Sequence, residues 1–185
     1  DLKGPMAGFG GKIQFSNAGG VRLVINGGSF NGFNAADVEV NGSVFLQPVT
    51  NSGGNVCQIG ALSGQSATAT LGGGDAGMIT YSVGSLGLTK LFAGSIIGNA
   101  ALTKVGSGSL TLSGTNTYTG ATAVTAGGLL VNGSLGNTAV TVSSGATLGG
   151  SGPVGSATGG LVTLLTGANF SPGDGVGIFQ AAGGV

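Results

Sequence analysis

The sequence predicts an all-β chain folded as a parallel β-helix, or β-solenoid, and three observations predict it. Apolar and small polar residues alternate over short stretches such as Leu110-Thr-Leu and Val140-Thr-Val, the two-residue period of a pleated strand. Glycine supplies 43 of the 185 residues. No window keeps a helical apolar period without several glycines, each costing about 1 kcal/mol in a helix interior. With one strand taken per turn, Val21, Val38, Val56, Ile79, Ala101, Thr122, Ala139 and Leu161 recur every 17 to 23 residues, a solenoid spacing.

In chain order the strands are expected at 12–15, 21–25, 37–40, 44–46, 56–62, 68–71, 79–83, 88–92, 95–97, 101–105, 110–112, 122–125, 129–131, 139–142, 146–148, 161–165 and 168–170. The segments 21–25 and 56–62 are dense in Val, Leu and Ile. Ile79-Thr-Tyr-Ser-Val alternates strictly, and β-branched and aromatic residues suit a half-buried pleated surface. Asn, Gly, Ser and Asp clusters between these segments supply turns. Asn-Gly pairs at 26–27, 31–32, 41–42 and 132–133 are also strong hairpin signals, so an up-and-down or sandwich fold is the rival. The recurring period favours the solenoid, since hairpins require none. Two or three short strands per unit cannot bury an apolar face alone, so successive units stack on a shared core. The whole chain, 1–185, is expected to form one domain.

Only ten residues are charged and the net charge is zero, so the surface must be Ser, Thr, Asn and Gly. Lys3, Lys12, Arg22, Lys90 and Lys104 are scattered. They form no electrostatic footprint for nucleic acid. No apolar run reaches the ~20 residues of a membrane helix, so no membrane insertion by this segment is expected. The sequence opens at Asp1 without Met or a signal peptide, as expected of a processed product or an excised piece. Cys57 is the single cysteine and reads as a small buried hydrophobe.

At 102–131 the pattern Leu-Thr-Lys-x-Gly-x-Gly-x-Leu-x-Leu-x-Gly-x-Asn-x-Tyr-x-Gly-x-Thr-x-Val-x-x-Gly-x-Leu falls on Leu102, Thr103, Lys104, Gly106, Gly108, Leu110, Leu112, Gly114, Asn116, Tyr118, Gly120, Thr122, Val124, Gly127 and Leu129. It resembles the autotransporter-associated β-strand repeat, also called the passenger-associated transport repeat. Residues 132–152 and 170–177 look like the usual continuation, and 81–97 like its usual upstream neighbour. The resemblance implies a right-handed parallel β-helix and a large exported bacterial surface protein. In autotransporters the repeat precedes a membrane barrel and is thought to help the passenger leave the cell and fold outside. The repeat carries no catalytic residues, and the chain departs from autotransporters in showing neither a barrel nor an N-terminal effector.

The chain has no His, which removes Ser-His-Asp and Cys-His catalysis and imidazole metal sites. Asp37 and Glu39, two apart on a strand with Arg22 about one coil earlier, are the one candidate carboxylate cluster, and a solvated face explains them equally well. Gly72-Gly-Gly-Asp-Ala-Gly resembles the start of a calcium nonapeptide, but one carboxylate cannot build the oxygen cage and no tandem copy follows. Lys90 and Lys104 are read as guards of exposed strand edges. Tyr118 is read as packing on a coil face and Asn116 as a turn or ladder residue. No catalytic, cofactor-binding or metal-binding residue and no cofactor is expected.

The leading expectation is a non-enzymatic structural β-helix segment of an exported bacterial cell-surface protein, an autotransporter-passenger-like stalk. One alternative is a subunit of an extracellular fibre or sheath, self-assembling by end-to-end β-pairing; its partners are other copies or flanking coils of a longer chain. Another is a glycan-binding or glycan-cleaving β-helix, to which Phe9, Phe15, Phe30, Phe33 and Phe45 in the N-terminal quarter and the Asp37/Glu39 pair would belong.

Overall fold

The structure, a computed structural model, describes residues 10–16, 20–25, 30–48, 55–73, 77–136, 138–154 and 160–173. The strands are Gly11–Phe15 (β1), Val21–Ile25 (β2), Phe30–Val40 (β3), Ser43–Pro48 (β4), Asn55–Ser63 (β5), Thr70–Gly73 (β6), Ile79–Val83 (β7), Lys90–Phe92 (β8), Ser95–Gly98 (β9), Ala100–Lys104 (β10), Ser109–Leu112 (β11), Thr115–Asn116 (β12), Thr122–Val124 (β13), Gly128–Val131 (β14), Ser134–Leu135 (β15), Val140–Val142 (β16), Thr147–Gly150 (β17), Val162–Leu164 (β18) and Asn169–Pro172 (β19). Among the described residues there is no helix.

Every strand pairing among these elements is parallel. The first sheet runs β1-β3-β5-β7-β10-β13-β16-β18, the second β2-β4-β6-β9 and the third β19-β17-β14-β11-β8. Each strand therefore stacks on the strand one circuit earlier, and the chain is a β-solenoid. The short pair β12-β15 continues the line of the second sheet: Thr117 N–H donates to Ile96 O at 2.9 Å and Thr119 N–H to Gly98 O at 3.1 Å. The third sheet begins at Gly64, which bridges to Phe92. Among the described residues, the third face is a single bridge at Gly64 before β6 and a strand from β8 onward.

The register measures each circuit. Gly11 sits opposite Ala36, an advance of 25 residues, and Thr122 opposite Val140, an advance of 18. Of the representative residues expected from the sequence, Val38, Val56, Ile79, Ala101 and Thr122 lie on the first sheet, Ala139 and Leu161 immediately precede its strands β16 and β18, and Val21 lies elsewhere. Val21 belongs to the second sheet and pairs with Val44, while Ile13 is the first-sheet partner of Val38. The sequence period began on the wrong face because β2, with Val21, Val24 and Ile25, is richer in β-branched residues than β1, which has only Ile13.

The hairpin reading of Asn-Gly is corrected where it can be described. The N–H groups of Asn41 and Gly42 both donate to Phe15 O, at 2.7 and 3.1 Å. Those of Asn132 and Gly133 both donate to Leu112 O, at 2.8 and 3.0 Å. The pair turns the chain through a corner and hangs it from one carbonyl a circuit back. Asn31-Gly32 lies inside β3, and Asn26-Gly27 lies outside the described residues.

Inward positions stack like on like. Cys57, Tyr81, Leu102, Thr122 and Val140 are register partners through five circuits. Leu110, Leu129 and Leu148 form a second ladder, and Phe92, Leu112 and Val131 a third. All are buried. Each large aliphatic side chain removed from water in this way contributes about 1.5–3 kcal/mol, and the stacked backbones satisfy one another's N–H and C=O groups.

Candidate functional site

Two places concentrate polar side chains: the corners of the 102–131 segment, and the outer edge of β3. In the first, Lys104 occupies an inward position between Val83 and Val124 and is 1% exposed. Its ammonium spends its three protons on carbonyls, donating to Val105 O at 2.6 Å, Gly106 O at 3.0 Å and Ala126 O at 3.3 Å. The first two close its own corner and the third belongs to the next circuit. Burial lowers its pKa from the usual lysine value. The edge-guard reading of Lys104 is therefore corrected. Alternation alone would have placed it inward, but a lysine there is unexpected until the corner carbonyls are seen.

Asn116 is fully buried and spans three circuits with one amide. Its Oδ1 accepts from Ile96 N–H at 2.9 Å; its Nδ2 donates to Gly114 O and Ser134 O, both at 3.0 Å. Beyond it, Tyr118 Oη lies 2.5 Å from Thr122 Oγ1, Thr122 Oγ1 lies 3.5 Å from Thr138 Oγ1, and Thr138 donates to Gly120 O at 2.5 Å. This hydroxyl chain closes the corner that leads into β13. Burial pushes the Tyr118 phenol up to about 12, opposed by the bond to Thr122. Thr138 was not singled out in the sequence, since a lone Thr in an Asn-Thr-Ala turn resembles any other.

The motif glycines mark where backbones nearly touch. A Cβ on Gly106, which has φ +71°, would lie 1.9 Å from Gly84 O. On Gly114 it would lie 2.2 Å from Gly94 O, on Gly133 2.0 Å from Gly114 O, and on Gly152 1.8 Å from Gly133 O. Gly94, Gly114, Gly133 and Gly152 thus form a ladder along one corner. Gly108 and Gly120 face Leu88 and Ala100 backbone in the same way, and Gly127 faces Gly106 and Gly108. Leu102, Leu110, Leu112, Val124 and Leu129 point into the core.

At the second place, Asp37 and Glu39 do share the outer side of β3, but Arg22 is not beside them. Arg22 pairs with Phe45 in the second sheet, whereas Lys12 is the register partner of Asp37 and Gln14 that of Glu39. Lys12 forms an ion pair with Glu39, and Asn41 Nδ2 donates to Glu39 at 2.6 Å. The bond from Lys12 is the larger cause holding the Glu39 carboxyl below its usual range; the same bond raises Lys12. Asp37 pairs with Lys90 at 2.6 Å. That lysine stands on β8, the first strand of the third sheet, and its reach to β3 was not foreseen. Asp37 Oδ1 is buried without a hydrogen-bond partner.

Cys57 is buried, and desolvation pushes its thiol up to about 12, the behaviour of a packed hydrophobe. Among the phenylalanines, Phe33 is core and Phe45 is 39% exposed. Phe9 lies outside the described residues, as do Asp75 of the calcium-like stretch and Asp174. No cluster of three or more His, Cys, Asp or Glu exists among the described residues. They contain no helix long and apolar enough to cross a membrane, which says nothing of a β-barrel.

The profile of the passenger-associated-transport-repeat family matches residues 102–131. This segment is similar to a passenger-associated-transport-repeat. The match begins at Leu102 in β10 and ends at Val131 in β14, so the repeat covers about one and a half circuits. It contains Lys104, Asn116, Tyr118 and Thr122, four polar residues at the corners of the coil. No curated protein and no solved structure matches the chain.

Proposed function

We propose that this chain serves as a non-enzymatic structural segment of an exported bacterial cell-surface protein, a stalk of the autotransporter-passenger kind. The observation that carries the reading is where the passenger-associated-transport-repeat spends its polar residues. Lys104 and Asn116 turn their donors inward and across circuits, onto backbone carbonyls of neighbouring coils. A motif built this way sets the stacking of coils and leaves no reactive group projecting for a substrate. The two carboxylates of β3 are each engaged by a lysine, which supports a surface ion-pair role for them.

A stacked rod of parallel strands suits export in an unfolded form followed by coil-by-coil folding outside, because each circuit contacts chiefly its neighbours. The test is display. The chain is placed between a secretion signal carrying an N-terminal epitope and a membrane translocator, and epitope access to protease on intact cells is measured. On this reading the epitope reaches the surface, and D37A/E39A does so equally. Failure of the parent chain to carry the epitope out would overturn the stalk reading, and polysaccharide cleavage lost in D37A/E39A would replace it with an enzymatic one.

A further inference from the structure

The ion pair of Lys12 with Glu39 has a third member. Glu39 takes the Lys12 ammonium on Oε2 and accepts from Asn41 Nδ2 on Oε1 at 2.6 Å, so one carboxylate holds an amine and a carboxamide side by side. Gln14 Nε2 adds a long contact to the same Oε1 at 3.5 Å. The triad joins two circuits: Lys12 stands on β1, Glu39 on β3, and Asn41 at the corner just after β3. With its side chain 59% exposed, Lys12 can swing on its four-carbon stem from the carboxylate onto the neighbouring amide.

The carboxamide oxygen is engaged separately. Asn41 Oδ1 accepts from the backbone N–H groups of Gln65 at 2.8 Å and Ser66 at 3.3 Å, both just beyond β5. Two fixed donors on a carbonyl oxygen draw electron density from its carbon and stabilise the charge of a tetrahedral intermediate. The usual nucleophile at an Asn-Gly pair, the backbone nitrogen of the glycine, is occupied here, since Gly42 N–H donates to Phe15 O at 3.1 Å.

We propose that Lys12, Glu39 and Asn41 are a self-reacting triad, in which the lysine amine displaces ammonia from the Asn41 carboxamide and leaves an isopeptide cross-link between β1 and the corner after β3. Neutral Lys12 Nζ attacks Asn41 Cγ; the Glu39 carboxylate takes the proton it sheds and passes it to Nδ2, which departs as ammonia. One C–N bond forms and one breaks, and nothing is oxidised or reduced. Holding amine and amide on one carboxylate supplies an effective concentration on the order of 10⁵ M or more. The bond from Lys12 keeps Glu39 ionised and able to act as the base, and the same bond raises Lys12. Asp37, the register partner of Lys12 and itself paired with Lys90, favours the ammonium too. Neutral amine is therefore scarce at neutral pH, and the reaction quickens about tenfold per pH unit until the lysine titrates. The stalk reading stands whether or not this bond forms.

The experiment is intact-mass spectrometry of the folded 185-residue chain during incubation at neutral and mildly alkaline pH, with K12R and E39Q compared. The parent should lose about 17 Da, the mass of ammonia, faster at the higher pH, and its digest should contain a branched peptide joining Lys12 to Asn41. K12R keeps the positive charge beside Glu39 but has no amine, and E39Q keeps the shape but has no base; both should retain the far-ultraviolet β signal and the full mass. A parent that keeps its full mass at both pH values overturns the proposal. A loss of ammonia that persists in K12R also overturns it, assigning the loss to a succinimide at an Asn-Gly pair. A branched peptide that forms equally fast in E39Q overturns the triad by removing the carboxylate from the step.

Discussion

Asn116 and Ile96 are twenty residues apart in the chain and one circuit apart in space, joined by a 2.9 Å bond from the Ile96 backbone N–H to Asn116 Oδ1. The same amide reaches forward to Ser134 O at 3.0 Å, so one side chain fixes the height of three consecutive coils. Replacing it with alanine strands a buried backbone donor, at a cost of about 2 kcal/mol. Urea unfolding of N116A should show a lower midpoint with the slope preserved. An unchanged midpoint would mean that the bond contributes nothing net.

The glycine ladder makes a sharper prediction because two glycines resist a side chain for different reasons. G114A drives a methyl to 2.2 Å from Gly94 O, which only backbone displacement can relieve, so we expect a loss of about 3 kcal/mol or more, or failure to fold. Gly145 has positive φ, +77°, which Gly114 does not, but nothing lies within 4 Å of its added Cβ. G145A should cost only the conformational strain, about 1 kcal/mol. Equal losses in the two variants, measured by thermal unfolding, would refute close approach as the reason for the ladder.

Most of the fold was legible because strand formation here is a local matter. The alternation in Ile79-Thr-Tyr-Ser-Val and the glycine punctuation each describe a few consecutive residues, and the expected strands lie where the structure has them. Phase was harder. Val21 opens a stronger strand pattern than the one around Ile13, and only pairing with Val44 and Val38, more than 20 residues away, tells which belongs to which face. The two-residue strands β12 and β15 carry too little pattern to be seen. Of the polar residues, Asn116 was legible as a ladder residue, whereas Lys104 was misplaced because a lysine in sequence advertises solvent, and its inward carbonyl partners come from a neighbouring coil. Lys90 and Asp37, 53 residues apart, had no local signal that joined them.

Lys104 should leave a mark on alkaline stability. Its folded pKa lies below the ordinary 10.5 because burial disfavours the ammonium. Between those two values the unfolded chain binds more protons than the folded one, so this residue's contribution to stability rises with pH and is complete above 10.5. The difference in unfolding free energy between the parent and K104M should shift in the parent's favour as pH climbs from neutrality through that window. A difference that is flat with pH would contradict a desolvated ammonium.

Cys57 acts in the opposite direction. Its thiol is raised from 9.0 to about 12 in the folded chain, so the unfolded chain ionises first, and stability present below pH 9.0 is lost as pH rises toward 12 at up to about 1.4 kcal/mol per unit. C57A should flatten this limb of the stability curve, with Tyr118, also raised to about 12 from 10.0, taking effect one unit later. Equilibrium unfolding at a series of alkaline pH values checks both. Identical curves for parent and C57A would show that the thiol is not protected by folding.

The Lys90 to Asp37 ion pair ties β8 to β3 and passes over β5, the intervening rung. Under a pulling force applied at the N-terminal end, ordinary rungs can peel singly, like turns drawn off a spool. This pair bolts three of them together, so tension reaching β3 is shared with β8 before either lets go. Traction on the uncross-linked chain is therefore expected to meet uneven resistance: the rung of β1 peels singly, a larger step follows where the third face begins, and smaller, regular ones come after.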